Sequence, residues 1–549
     1  MKIINPASSI EALQERIDSL NSALASEQKA HQVEKKTRIE LEWKLKELLA
    51  RLYKPGSEKI SPDQLQLILE GFEEDAALAE TGSDGEEVPD PAEGAPGKKR
   101  YPSKRTVFPA NLPERIIEID LPEDERTCPV TGVVRAFIRW EETIKINFVP
   151  GYFERLIIRR AVRAVKMPAD AAGNLLPESP VITAEMPAEY RVIPGAIAAA
   201  GLLAWLIVSK YCDHLPFYRQ QQIFKRQHQV NIDRNLMCHW MKRCCAVLGI
   251  LYEAMRAELL SGNYLQIDET FIKLLDPDTK GKAKQSHFWV IRRPPQPNGE
   301  GGGVLFHFDP GRNHEVALEL LGDYRGALQC DGYNAYPVID RKTGRVTLFF
   351  CWAHVRRKFV ESLEFGGPAA AWYVAEIQRL YRVETQARES GLDASGRERL
   401  REELSRPVLK RIKERLDRDR AAELFLPSSS LGRAINYTLE RWAGLERYTE
   451  SGWGHIEIDN NGVENAIRPT AIGKKNWLFI GHPKAGQRSA ILYTIIENCR
   501  LCGINPLEYL CDVMPRIMDH PASRVSELLP RQWQAARDAD AQGTKAEAD

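Results

Sequence analysis

Three observations predict a multidomain α+β protein. The chain has 549 residues, too many for one ordinary core and enough for about two to four domains. Its middle alternates strand-period and helix-period runs, and two of the strands end in an aspartate. Its two ends are helical in pattern, the first with a heptad repeat. Hydrophobic residues make up 43% and charged residues 28%, a globular balance. Formal net charge is zero, so bulk charge offers no argument for nucleic acid, but the charge is unevenly placed.

Taken in order, Ile10, Leu13, Ile17, Leu20 and Leu24 repeat at three- and four-residue spacing, and the register returns at Leu41, Leu45, Leu48 and Leu52. That seam predicts a coiled-coil helix within residues 1–72 through which the chain self-associates. Pro55 and Gly56 stop it, and a short helix from Pro62 to Phe72 follows. Residues 73–112 read as a disordered linker. Nine acidic and no basic residues lie between Glu73 and Glu93, and five basic residues follow from Lys98 to Arg105.

Residues 113–180 read as a small β module, with strand runs at Ile116 to Ile119, Thr143 to Phe148 and Leu156 to Val165. Cys128-Pro129-Val130-Thr131-Gly132 has the outline of half a zinc knuckle, but Thr131 stands where the second cysteine belongs, and no second pair precedes Cys212. Zinc needs about four soft or borderline ligands, so no zinc is expected. The ten cysteines lack the dense spacing of a secreted disulfide scaffold, and Met1 to Pro6 runs straight into a charged helical pattern. Both point to a reducing cytoplasm. The longest apolar run, Ala196 to Val208, is too short to cross a bilayer.

Residues 181–260 read as helical. Tyr218 to Gln227 and Arg234 to Val247 flank a turn at Asn231 and Ile232, a pattern that suits either helix-turn-helix docking on DNA or a helical hairpin with no groove partner. Residues 261–366 then carry the first half of a catalytic core. In Tyr264-Leu265-Gln266-Ile267-Asp268-Glu269-Thr270, apolar and polar residues alternate and deliver Asp268 at the strand's end. His287 to Ile291 and Val304 to Phe308 complete a three-stranded meander. Asn313 caps a helix to Leu321, and Gly326 to Asp331 is the next strand. A strand, crossover helix and strand make the new strand parallel to a partner in the same sheet. If that partner is the first strand, Asp268 and Asp331 become neighbours.

A short helix after Tyr333, the strand Val346 to Cys351 and a helix with a basic face, Trp352 to Phe359, come next. Residues 367–450 read as a helical insertion dense in Arg, Lys and Glu, and residues 451–482 return to the core. There Asp459 or Asn460 caps a helix whose second turn presents Glu464, with Arg468 four residues on along the same face. Ala471 to Phe479 mixes basic and aromatic residues, a composition suited to a nucleic-acid backbone and a stacked base. Residues 483–549 form a helical segment and tail, the tail polar and disordered after Pro530.

Meander, helix, strand, helix, strand and a late helix carrying Glu is the order of a ribonuclease-H-like α/β core. The expected architecture is therefore a coiled-coil helix, a small β module, a helical DNA-binding region, this core with its helical insertion, and a helical C-terminus. Three converging carboxylates, Asp268, Asp331 and Glu464, suit two Mg²⁺ or Mn²⁺ ions on a scissile phosphate.

Four blocks, Tyr264 to Thr270, Gln329-Cys330-Asp331-Gly332-Tyr333, Cys351 to Phe359 and Asn460 to Phe479, resemble the signatures of the insertion-sequence 66 family of bacterial DDE transposases. The Gly56-Ser57-Glu58-Lys59 turn and the Ser209 to Pro216 segment match in order as well. The resemblance implies that Asp268, Asp331 and Glu464 are the catalytic triad and metal ligands. It implies nicking of double-stranded DNA at element ends by water, then attack of the freed 3′-hydroxyl on target DNA. Candidate DNA contacts are His354, Arg357, Lys358, Arg468, Lys474, Lys475 and Trp477, the last as a base-stacking or packing residue. A homo-oligomer, element-encoded accessory proteins and a cytoplasmic, nucleoid-associated location complete the expectation. The rival readings are an element-encoded DNA-binding and assembly protein without chemistry, and a structure-specific nuclease of the same fold.

Overall fold

The computed structural model describes residues 112–127, 134–149, 151–164, 181–275, 282–295, 301–333 and 335–546. The heptad seam, almost all of the linker and the Cys128 to Gly132 segment lie outside them. The described chain is mixed α+β, and no helix in it is long and apolar enough to cross a membrane.

β1 (Glu114–Ile119) runs parallel to β3 (Tyr152–Ala164), which forms an antiparallel hairpin with β2 (Ala136–Val149). Gly151, at a φ of 102°, makes the hairpin turn that a side chain would resist. Arg and Glu pair across the strands: Arg155 with Glu114, Arg159 with Glu142 and Arg160 with Glu141. The short β4 (Ile182–Thr183) joins β3.

Three helices follow: α1 (Ala200–Tyr211), α2 (Phe217–His228) and α3 (Arg234–Leu260). The α3 helix extends well past the expected Val247, because apolar residues keep recurring at helical spacing. Met237, Trp240, Met241, Cys244, Leu248, Leu251 and Met255 all enter one core. Asp233 caps it by accepting from the Asn235 N–H at 2.7 Å.

The large sheet has the order β7-β6-β5-β8-β9. β5 (Tyr264–Leu275), β6 (Ala283–Arg293) and β7 (Gly303–Asp309) are the antiparallel meander. The helix α4 (His314–Leu321), capped by Asn313, leads to β8 (Gly326–Cys330), parallel to β5. The helix α5 (Ala335–Thr343) leads to β9 (Val346–Phe350), parallel to β8. Alternation sorts the side chains: Phe288, Val290, Val304 and Phe306 join the core of α1 to α3, while Leu265, Ile267, Trp289, Ile291 and Leu328 pack on the other face with α4 and α5.

Residues 352–451 form a helical unit of their own. It contains α6 (Trp352–Glu361), α7 (Leu363–Glu389), α8 (Arg406–Ala421) and α9 (Ser430–Glu440). Its core holds a fully buried Arg401, paired with Glu384 at 2.8 Å through both Nε and Nη2 and donating to the Tyr448 carbonyl at 2.9 Å.

The chain then returns to the sheet through α10 (Asn461–Trp477) and β10 (Phe479–Ile480), which adds to β5 in parallel. The buried helix α11 (Pro483–Leu501) lies along β7 and satisfies that edge strand with side chains. Thr494 Oγ1 accepts from Phe306 N at 2.9 Å, and Asn498 meets both the N–H and the carbonyl of Val304. After α12 (Pro506–Arg516) the expectation of a disordered tail fails: α13 (Pro530–Ala546) is helical. Trp533 anchors it, buried against Tyr509 and donating to Asp512 at 2.6 Å, so one aromatic outweighs a polar composition.

Candidate active site

The acids meet because of strand register. β5 and β8 pair Tyr264 with Ala327, Leu265 with Leu328 and Gln266 with Gln329. Two residues beyond the last pair on each strand stand Asp268 and Asp331, with the parity of the two glutamines; Asp268 does not end its strand as expected, because β5 runs on to Leu275 along β6, whereas Asp331 directly follows β8. Asp268 accepts from the Glu269 N–H at 2.8 Å, and Asp331 from the Tyr333 N–H at 2.8 Å. Glu464 comes from the first turn of α10, not the second. Asn460 occupies the cap position without a capping hydrogen bond, whereas Asp459 Oδ1 accepts from Asn461 N at 3.1 Å. Burial holds the Asp268 carboxyl well above the usual carboxylate range, and the charges of Asp331, Glu269 and Glu464 push it further in the same direction.

A buried polar network underlies these acids. Gln266 and Gln329 are buried polar residues, each flanked in its strand by buried apolar neighbours. Tyr264 Oη donates to Gln329 Oε1 at 2.6 Å, and Gln266 Nε2 lies 2.9 Å from the same oxygen. Gln266 Nε2 also reaches the Glu457 carboxylate at 2.7 Å and the Asp459 carbonyl at 3.0 Å. Gln329 Nε2 donates to the Glu457 carbonyl at 2.7 Å, and Arg292 bridges Gln266 and Glu457 at 2.7 and 3.3 Å. The network therefore ties the segment entering α10, and with it Glu464, to the strands that carry the aspartates. Gly462 completes the approach: a Cβ there would stand 2.0 Å from Arg292 Nη1 and 2.8 Å from Gln266 Oε1. The signal in the sequence was a glutamine two residues before each aspartate.

The remaining candidates divide. Arg468 and Lys475 are exposed on α10. Lys474 is half-buried, donates to the Phe271 carbonyl at 3.1 Å and sits 3.9 Å over its ring, and burial lowers its pKa. Trp477 is only 8% exposed and packs near Tyr211, His214 and Lys210, so its ring fills the core instead of offering a stacking face. His354, Arg357 and Lys358 lie on α6 in the helical unit, with Lys358 Nζ 4.5 Å over the Tyr437 ring.

Among the described residues, no three His, Cys, Asp or Glu side chains already stand as a closed metal site. The donor chemistry nevertheless fits a hard divalent cation: carboxylate oxygens whose mutual repulsion a cation would relieve.

The sheet is mixed, with Asp268 on one of two neighbouring parallel strands and Asp331 directly after the other, and sequence comparison specifies the family. Residues 195–488 match the Transposase IS66 family and residues 494–531 match the IS66 C-terminal element. Two similar proteins come from Sinorhizobium fredii (strain NBRC 101917 / NGR234). "Uncharacterized protein y4qI" is 33% identical over 452 residues, covering 80% of this chain and 79% of the relative. "Uncharacterized protein y4jD" is 34% identical over 365 residues, covering 64% and 69%. The chain belongs to the IS66 family of transposases.

Proposed function

We propose that the chain is a DDE transposase that binds the ends of its own insertion sequence, cuts DNA there and joins the freed end to a target. The observation that carries this reading is the parallel register that sets Asp268 beside Asp331, with the segment leading to Glu464 hydrogen-bonded to the same two strands, in a member of a transposase family. A meander continued by two parallel strands, with helices between them, supports a ribonuclease-H-like core. In this reading Asp268 and Asp331 share the metal site and Glu464 completes it. Bound there, Mg²⁺ or Mn²⁺ would supply Lewis acidity to the attacking and leaving oxygens of an in-line displacement.

The residues of the chain do the rest. The glutamine network fixes the heights of the two aspartates relative to Glu464, which is the pre-organisation that phosphoryl chemistry demands. Arg468 and Lys475 are placed to hold DNA phosphates from α10. Water breaks the first phosphodiester bond and leaves a 3′-hydroxyl, which then displaces a 3′-oxygen in target DNA. The heptad seam would hold two or more copies together for the paired ends of the element. Accessory proteins of the same element and a nucleoid location belong to the same proposal.

The test is Mg²⁺- or Mn²⁺-dependent cleavage of an element-end duplex by the full chain. Cleavage falls to background in Asp268→Ala, Asp331→Ala and Glu464→Ala, while duplex binding persists. Equal cutting by Asp268→Ala and the parent refutes the assignment. Binding without any cutting by the parent would favour a DNA-binding and assembly protein.

A further inference from the structure

Arg312 is a cation beside these acids that the triad does not use. Arg312 lies in the turn between β7 and α4, and that turn is tightly built. Asp309 Oδ1 accepts from Gly311 N at 2.6 Å, Asn313 caps α4, and Tyr333 Oη donates to the Arg312 carbonyl at 2.6 Å. Its guanidinium is held just as firmly. Nε and Nη2 donate to Glu269 Oε1 at 2.9 and 2.6 Å, and the plane lies 4.2 Å from the centre of the Tyr333 ring. Yet the side chain is 45% exposed, and among the described residues Nη1 has no hydrogen-bond partner.

Glu269 follows Asp268 directly, and its side chain is 1% exposed. Both of its oxygens are engaged, Oε1 by Arg312 and Oε2 by the Tyr336 hydroxyl at 2.8 Å. Three donors thus fill most of its acceptor capacity, and two of them belong to Arg312. Tyr333 lies two residues beyond Asp331, so both elements that grip Arg312 are the ones that carry the aspartates.

We propose that Arg312 is a DNA-phosphate contact at the edge of the active site, and that Glu269 is the positioning residue that aims it. The assignment rests on the transposase reading above and deepens it. A DNA strand approaching Asp268, Asp331, Glu269 and Glu464 meets concentrated negative charge, and its phosphates need a fixed positive partner there. Arginine suits that role because the planar fork can keep two donors on Glu269 while a third edge meets a phosphate oxygen. Stacking on Tyr333 keeps the plane from turning away.

The experiment uses the full chain carrying Asp268→Ala and a short DNA duplex of arbitrary sequence, with binding followed by fluorescence anisotropy from about 50 to about 200 mM salt. Adding Arg312→Ala lowers the logarithmic salt slope by roughly one, the share of one phosphate contact. Arg312→Lys keeps the charge and retains most of the slope, and Glu269→Gln loses part of it. An unchanged slope in Arg312→Ala overturns the proposal, and so does equal loss in the Ala and Lys variants, which would mark a structural effect. Mn²⁺ binding by paramagnetic resonance, measured on the full chain with Asp268 intact, is the second readout. If Glu269→Gln weakens Mn²⁺ binding and leaves the slope intact, Glu269 is a ligand and the positioning role is wrong. Retained cleavage by Asp268→Ala alone would sink the triad without touching the salt-slope result.

Discussion

At the scale of single residues, the site depends on close fits that tolerate little change. Gly462 is the clearest case, since a methyl group there must displace Arg292 from Gln266 and Glu457. Gly462→Ala should cost about 1–3 kcal/mol of stability by overpacking. It should also cut cleavage more than binding, because it moves the helix bearing Glu464; thermal unfolding and cleavage rates check both, and unchanged cleavage would count against the positioning role. Gln329→Leu is of similar size but works differently. It takes the acceptor from the Tyr264 hydroxyl and the donor from the Glu457 carbonyl, at about 1–3 kcal/mol for an unmet polar group. In the helical unit, Arg401 and Glu384 form a buried pair. Glu384→Ala should destabilise that unit by about 3–5 kcal/mol, read from denaturant midpoints, because it leaves an arginine charge buried alone. Replacing both partners with apolar residues should cost far less.

At the scale of elements, two features decide whether the core holds its acids in place. The first is α11 against β7. Thr494→Val preserves shape but leaves the Phe306 N–H without its acceptor, so amide exchange along β7 should accelerate while the sheet's other strands stay protected. The second is the β1 to β3 module. Asp120 pairs with Arg163, and that hydrogen bond holds its carboxyl below the usual range, with burial opposing. A carboxyl whose folded pKa is depressed stabilises the fold above its unfolded pKa and loses that contribution as pH falls through the folded one. Stability of the chain should therefore fall as pH drops below about 4, and Asp120→Asn should flatten that acid limb. A limb that stays as steep in the variant would assign the effect to other carboxylates.

At the scale of the whole molecule, the family places the chain among transposases, and the heptad seam in residues 1–72 predicts association of copies. Removing residues 1–72 should lower the molar mass in solution, by light scattering, to that of one chain, with the unfolding of the remainder little changed. A truncated chain that remains oligomeric would move the association surface elsewhere. Under the proposed function, a formal net charge of zero leaves the hold on DNA to placed cations and not to bulk attraction.

Period and spacing alone carried much of the large sheet: the meander, the crossover helix capped by Asn313, and the strand leading to Asp331 all follow from alternation and turn residues. The neighbouring places of Asp268 and Asp331 were legible as well, because a strand, crossover helix and strand make parallel partners in one sheet. Tertiary structure decided what no local window contains. Whether Gln266 and Gln329 are surface residues or a buried clamp depends on what segment lies across them, and that segment is 191 residues further on, at Glu457. Trp477, open between stacking and packing in the sequence, became core for the same reason, and the polar tail became a helix because Trp533 found Tyr509 and Asp512. Local pattern states which face a side chain takes; only the packed chain supplies the partner, and the partner sets the charge, burial and reach on which chemistry depends.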